Sequence, residues 1–447
     1  MTARRLAFKI LRDIEINKEY SNLAINKNLR ESNLDNRDKA LVTELVYGVI
    51  EKKLFINHII NKVSKIKVKK MSHPVKIALQ IAVYEMIWLD STKDYASINE
   101  AVNLIKKLDK RSSGFVNGVL RNISRQKDEL SKIDNENIEF ISIKYSLEKW
   151  IVEKLISQYG KDRAKKIIIA LSEKPKMYIR INMQKKKIYN IDKDEDFVDF
   201  IISELENSGV KSKKSYLTEA LEVSGLKNIE DNKLFRNGVI SIQDISSMMV
   251  ANVANPKGYE EVLDVCAAPG GKTMHIAEKL ETGKVVSCDV FSHKLKLIEN
   301  YSKRLGLKNV DICENNGLEL REEFINKFDI VLVDAPCSGM GIVRRKPEIK
   351  YKKKEDISQL PNIQLQILEN ASKYVKDGGS LIYSTCTIFD DENTGVMMKF
   401  LMNNSDFELE PIDNIDVLKD DGEVGYVSIL PDKYDMDGFF ICKMKKK

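Results

Sequence analysis

Cysteine is scarce in this chain, and that excludes a disulfide framework: six cysteines are spread over 447 residues, at positions 266, 288, 313, 337, 386 and 442. No two form a Cys-x-x-Cys pair, which removes the common zinc and dithiol-exchange signatures. Also missing is any apolar run of roughly 20 residues, the length that spans a bilayer. The start, Met1-Thr2-Ala3-Arg4-Arg5-Leu6, is followed by charges every few residues rather than by a secretory apolar segment. These absences predict a protein of a reducing cytoplasm, neither exported nor inserted in a membrane. There is no internal repeat. The phosphate-loop pattern Gly-x-x-x-x-Gly-Lys-Ser/Thr is incomplete, because Cys266 stands five residues before Gly271 where glycine is required, so nucleoside triphosphate binding is disfavoured.

What is present points to several domains, since 447 residues exceed one ordinary core. The net charge of +6 is unevenly placed: residues 1–130 carry 25 Lys+Arg against 15 Asp+Glu. Such an excess suits a solvated helical surface or a polyanion-binding one. From Ala3 to about Gln126 apolar residues recur at spacings of three and four, as in Leu6, Ile10, Leu11 and Ile14, which predicts an all-helical bundle over 1–130. Residues 131–145 are polar and charged and suit a linker or weak helix. Over 146–240, helical and strand-like segments, among them Met177-Tyr178-Ile179-Arg180-Ile181-Asn182, predict a small α+β module.

Over 241–447, apolar strands ending near Cys266, Asp289, Ile312, Val333 and Ser384 alternate with helical segments, the pattern of a parallel, doubly wound α/β sheet. Asp437-Gly438-Phe439-Phe440-Ile441-Cys442 supplies a last antiparallel strand. Ligands bind such sheets beyond the carboxyl ends of the strands. Cys266-Ala267-Ala268-Pro269-Gly270-Gly271-Lys272 turns through small residues into a helix, leaving backbone amides open to an anion such as a methionine carboxylate. Asp289, at the next strand end, suits ribose hydroxyls or a helix cap, and the amide of Asn316 suits an adenine edge or only a turn.

Two thiols reach the same edge. Asp334-Ala335-Pro336-Cys337 and Ser384-Thr385-Cys386 each end an apolar strand. A thiolate can add to carbon 6 of cytosine, convert the ring to an enamine that takes a methyl group at carbon 5, and later leave by elimination. Asp334 is placed to hydrogen-bond the pyrimidine edge and favour protonation at nitrogen 3. Cys288, Cys313 and Cys442 are expected to be inert packing.

These motifs resemble the Nol1/Nop2/Sun family of RNA 5-methylcytosine methyltransferases. The likeness is carried by Arg180-Ile181-Asn182, Gln243-Asp244-Ile245-Ser246-Ser247 with the Cys266-to-Lys272 loop, and the two cysteine motifs. It implies a Rossmann-like catalytic domain preceded by an RNA-recognition-like α+β module, with S-adenosylmethionine as cofactor. Cys386 is then the nucleophile, Cys337 assists product release, and residues 266–272 with Asp289, Asn316 and Asp334 line the donor pocket. Many relatives carry Asp at position 316. The amino-terminal bundle resembles the NusB family in Arg4-Arg5-Leu6-Ala7, Val46-Tyr47-Gly48-Val49-Ile50 and Val116-Asn117-Gly118-Val119-Leu120-Arg121. The fusion is the arrangement of bacterial enzymes that methylate carbon 5 of a specific cytosine in 16S ribosomal RNA, which implies small-subunit ribosomal RNA, naked or partly assembled, as partner.

Three other readings compete: a transfer RNA methylase of the same family, a DNA cytosine methylase with Cys337 as nucleophile, and a non-catalytic NusB-like RNA-binding protein. A monomer is expected because the catalytic parts are complete in one chain. The cationic run from Arg344 to Lys354, directly after the Cys337 loop, is expected to track phosphates, and the Lys62–Lys76 cluster is a second, weaker candidate.

Overall fold

The computed structural model describes residues 2–17, 19–89, 92–133, 135–226 and 228–447. They fall into two compact units, Met1–Ser172 with Arg345–Lys354, and Glu173–Arg344 with Glu355–Lys447. Among the described residues no helix is long and apolar enough to cross a membrane.

The first unit is helical, as the three- and four-residue spacing requires. Its centre is His73–Trp88, which buries Val75 and every residue from Ile77 to Met86, so the segment is a core helix rather than an amphipathic one. Gly48 on Asn36–Glu51 lets it approach: a Cβ there would lie 1.9 Å from Cζ of Tyr84. Asp35 begins Asn36–Glu51 by accepting the Asp38 amide at 2.7 Å. The unit continues past the expected boundary at 131–145. Ile138–Tyr145 is a helix capped by Asn137, and Lys149–Tyr159 and Lys161–Ala170 follow it. The reason is a sparse apolar stripe, Ile141, Leu147, Ile151, Val152 and Leu155, all buried beneath a highly charged exterior.

The run expected to track phosphates is largely built into this unit. Glu348 accepts from the amide and hydroxyl of Ser21 at 3.2 and 2.9 Å, capping Ser21–Arg30, whose own preceding residue offers no side-chain cap. The Tyr351 hydroxyl donates to the Ile50 carbonyl, Trp150 donates to the Lys352 carbonyl at 2.9 Å, and Lys346 lies 5.4 Å above the Tyr20 ring. Lys350 is 1% exposed and donates to the Tyr145 carbonyl at 3.4 Å. In the second unit Arg344 pairs with buried Asp437 at 3.1 Å. Of the seven cations, only Lys353 and Lys354 are exposed. Residue type alone could not show these partners.

The second unit holds two sheets. In the smaller, β1 (Met177–Ile181), β2 (Lys211–Lys214), β3 (Ala220–Ser224) and β4 (Ile240–Ile242) run in the order β2-β3-β1-β4, with β2-β3, β3-β1 and β1-β4 all antiparallel. Helix Asp194–Asn207 buries Phe197, Val198, Ile201 and Leu205 against it. β2 escapes sequence reading because it is an edge strand of lysines and serine with no apolar face. The larger sheet contains β5 (Glu261–Asp264), β6 (Lys284–Asp289), β7 (Val310–Glu314), β8 (Phe328–Asp334), β9 (Val375–Thr385), β10 (Phe407–Leu409), β11 (Tyr426–Ile429) and β12 (Phe439–Lys446). Its order is β10-β12-β9-β8-β5-β6-β7, with β11 on β12. β9 through β7 are parallel, whereas β12 is antiparallel to β9. The expected doubly wound sheet is therefore present, extended by an antiparallel edge.

Candidate active site

The carboxyl ends of β5, β6, β7, β8 and β9 carry the site. After β5 the chain turns at Gly270, whose φ of +104° suits glycine, into helix Gly271–Ala277. Arg180 from β1 braces this turn. Its guanidinium, fully buried, makes two bonds of 2.8 and 2.9 Å to Glu278, one of 3.0 Å to the Gly271 carbonyl, and one to Gln243. The Arg180 and Gln243 motifs thus act on the donor loop from behind. Asp289 does not cap the helix at Ser292–Leu305, whose N-cap residue Phe291 has no side-chain cap; its carboxylate accepts the Phe291 amide at 3.1 Å in a turn before that helix and the Ala268 amide at 3.3 Å, and Lys294 lies 3.5 Å away. This ties the end of β6 to the donor loop.

Asn316 spends its side chain on a local turn, donating to Glu319 at 2.8 Å and accepting from Leu318 at 3.2 Å. Its neighbour Asn315, which the sequence reading left unassigned, has a buried side-chain nitrogen without a partner among the described residues. Asp264, also unassigned, is fully buried; one oxygen accepts from Thr273 at 2.6 Å and the other has no side-chain hydrogen-bond partner among the described residues. Burial pushes its carboxyl up to about 7. Orphaned polar atoms at the ends of β5 and β7, on either side of the Asp289 strand end, fit a polar ligand such as an adenosyl donor. Cys266 is a poor nucleophile, because burial raises its thiol and nearby Asp264, Asp334 and Asp289 add to the shift.

Sγ of Cys337 lies 3.3 Å from Sγ of Cys386. Cys337 is raised well above the usual thiol range, first by its hydrogen-bonding contact with Cys386 and then by burial. Asp334 meets Lys272 at 2.7 Å and accepts from Ser384 at 2.9 Å. Burial opposes the Lys272 charge, but Asp334 outweighs it and Cys386 adds to the effect, keeping the ammonium charged. One cation thereby joins the donor loop, β8 and the thiol pair.

A second layer holds the two cysteine loops together. Glu392, 2% exposed, accepts from the Ser338 amide at 2.8 Å and from Gln364 at 3.0 Å, while Ser338 and Thr387 hydroxyls meet at 2.7 Å. The Gly341 amide donates to the Cys386 carbonyl at 3.0 Å. A Cβ on Gly341 would lie 1.9 Å from the Gly438 carbonyl oxygen, which explains glycine there. Sequence reading missed Glu392 because nothing local marks a buried carboxylate whose partners lie 28 and 54 residues away.

Comparison with known proteins agrees with this geometry. The description "16S rRNA methyltransferase RsmB/F" matches residues 251–445, the NusB family matches 1–125, and an RsmF/B-like ferredoxin-like domain matches 147–229. Among solved structures, a methyltransferase homolog protein from Pyrococcus horikoshii superposes with TM-score 0.59 at 26% identity, covering 70% of this chain and all of its own. NSun6 from Pyrococcus horikoshii, solved with SFG, gives TM-score 0.57 at 25% identity, over 66% of this chain and 97% of its own. The probable ribosomal RNA small subunit methyltransferase B of Synechocystis is 30% identical with full coverage of both chains. Its counterpart from Bacillus subtilis is 37% identical over all of this chain and 99% of that protein. With the thiol pair, the braced donor loop and likeness along its whole length, the chain belongs to the ribosomal RNA small subunit methyltransferase B family.

Proposed function

We propose that this protein methylates carbon 5 of a specific cytosine in 16S ribosomal RNA through a covalent adduct on Cys386. The observation that carries the reading is the 3.3 Å approach of the Cys337 and Cys386 sulfurs just past the ends of β8 and β9; the family resemblance makes Cys386 the nucleophile of the pair. S-adenosylmethionine, when bound, supplies an electrophilic methyl on sulfur; Asp289, Asn316, Asp334 and the 266–272 backbone would hold it. SFG in the NSun6 relative is an analogue of that donor and supports the assignment.

Cys386 adds to carbon 6 of the cytosine, which makes carbon 5 nucleophilic. Asp334, neutralised by Lys272 and oriented by Ser384, keeps a lone pair on each oxygen for a proton at ring nitrogen 3. After methyl transfer a water takes the carbon 5 proton, the electrons of that C–H bond restore the ring double bond, and the Cys386–carbon 6 bond breaks; Cys386 leaves as a thiolate that Cys337 is in place to protonate. A cytosine inside a duplex cannot present carbon 6 to a thiol, so the target lies in a loop or is extruded. The exposed Lys62, Lys65, Lys67, Lys69 and Lys70 of the bundle supply phosphate contacts.

The test is transfer of labelled methyl to protein-free small-subunit ribosomal RNA, transfer RNA and DNA by the native protein, Cys386→Ala and Cys337→Ala. Expected are ribosomal RNA labelling that vanishes in Cys386→Ala and a protein–RNA adduct on a denaturing gel with Cys337→Ala. Labelling confined to transfer RNA or DNA overturns the substrate, and labelling retained by Cys386→Ala overturns the nucleophile.

A further inference from the structure

The larger sheet contains a second thiol pair that methyl transfer does not use. β6 and β7 are parallel, and their register sets Cys288 directly opposite Cys313. Strands pair at about 4.8 Å, inside the Cα separation that a disulfide accepts. The two sulfurs lie 2.9 Å apart. Their surroundings differ. Cys288 is completely buried, whereas Cys313 is partly exposed at the sheet edge. A guanidinium nitrogen of Arg321 lies 3.5 Å from the Cys313 sulfur and is itself 3.3 Å from the Glu314 carbonyl oxygen, which fixes the cation beside the thiol.

We infer that Cys313 and Cys288 form an oxidisable dithiol, a site at which a hydroperoxide converts the β6–β7 pair reversibly to a disulfide. The hydrogen bond with Cys288 and the charge of Arg321 bring the Cys313 thiol down to about 7, against the opposing effect of burial, so a substantial thiolate fraction exists at neutral pH. Cys288 is raised, by its contact with the Cys313 sulfur and by burial. The two sulfurs therefore have separate roles. The Cys313 thiolate attacks the terminal peroxide oxygen, the O–O bond breaks, and the departing oxygen leaves after protonation as an alcohol, or as water from hydrogen peroxide; Cys313 becomes a sulfenic acid. The Cys288 sulfur then attacks the Cys313 sulfur, the S–O bond breaks, and hydroxide leaves with the Cys288 proton as water. The sulfurs lose two electrons in all and the peroxide gains them. A disulfide so placed stands one residue before Asp289 and two before Asn315, behind the donor edge.

The experiment treats the full-length protein at pH 7 with hydrogen peroxide, blocks remaining thiols by alkylation, and maps peptides by mass. Expected is a linked pair of peptides carrying Cys288 and Cys313, released by dithiothreitol. In Cys288→Ser, Cys313 takes a dimedone adduct, the mark of a sulfenic acid without its resolving partner. Arg321→Ala slows Cys313 oxidation by at least about fivefold at pH 7, because the thiolate fraction falls. The inference is overturned if Cys288 and Cys313 remain fully alkylatable while other cysteines oxidise, or if Cys313 passes to sulfinic acid in the native protein with no linked peptide. The native-protein arm decides the matter even if a variant fails to fold, and it is independent of any RNA substrate.

Discussion

Two basic stretches of this chain look alike in composition and differ in fate. Lys62, Lys65, Lys67, Lys69 and Lys70 are exposed around a helix end and a short turn, with Val68 buried beneath them. Of Arg344, Arg345, Lys346, Lys350, Lys352, Lys353 and Lys354, most are drawn inward, Lys350 completely. The difference lies in what stands between the cations. The second stretch carries Pro347, Ile349 and Tyr351, which pack inward and take their charged neighbours with them, whereas the first offers few apolar side chains to bury. Local charge density therefore says little about phosphate contact until the apolar residues interleaved with it are considered.

Each half of that contrast can be broken. The largest effect is expected for Tyr351→Ala, which removes a ring packed on the bundle core and its hydrogen bond to Ile50. Unfolding free energy in denaturant titration should fall by about 4 kcal/mol, with the salt dependence of RNA binding unchanged. A change in that dependence would mean that the stretch also contacts RNA. Next comes pH. Burial brings the Lys350 ammonium down to about 8, so between pH 8 and its unfolded value of about 10.4 the unfolded chain binds the extra proton and stability rises with pH. Relative to Lys350→Met, the native protein should gain on the order of 3 kcal/mol across that window, and a flat difference would contradict the burial of this ammonium. The smallest effect is on the exposed stretch. Replacing Lys65, Lys67, Lys69 and Lys70 by alanine should weaken binding to small-subunit ribosomal RNA about tenfold near physiological salt and lower the log–log salt slope by about 3, with stability unchanged. An unaltered slope would move the RNA contact elsewhere.

What could be read in advance follows the range of each interaction. β6 and β8 are legible within a residue because apolar runs end at Asp289 and Asp334, and the cysteine motifs follow strand ends directly. The donor loop is legible because small residues between a strand and a helix leave few alternatives. Asn315 and Asn316 could not be separated, since which amide is spent on the turn depends on Glu319 and the path after β7. Cys442 is buried in β12, and the Cys288–Cys313 pairing depends on a register that only assembly of the sheet creates. Glu392 and Arg180 share that difficulty, because each is defined by partners far along the chain.

The docking of Arg345–Lys354 also imposes an order on biosynthesis. The helices of residues 3–170 leave the ribosome first, yet the carboxylate that caps Ser21–Arg30 and the phenol that meets the Ile50 carbonyl belong to residues 348 and 351. A nascent bundle therefore waits for almost two hundred further residues before its packing is complete. During that interval the cleft that receives Tyr351 is open to water, and a module translated before the catalytic residues is completed only after many of them.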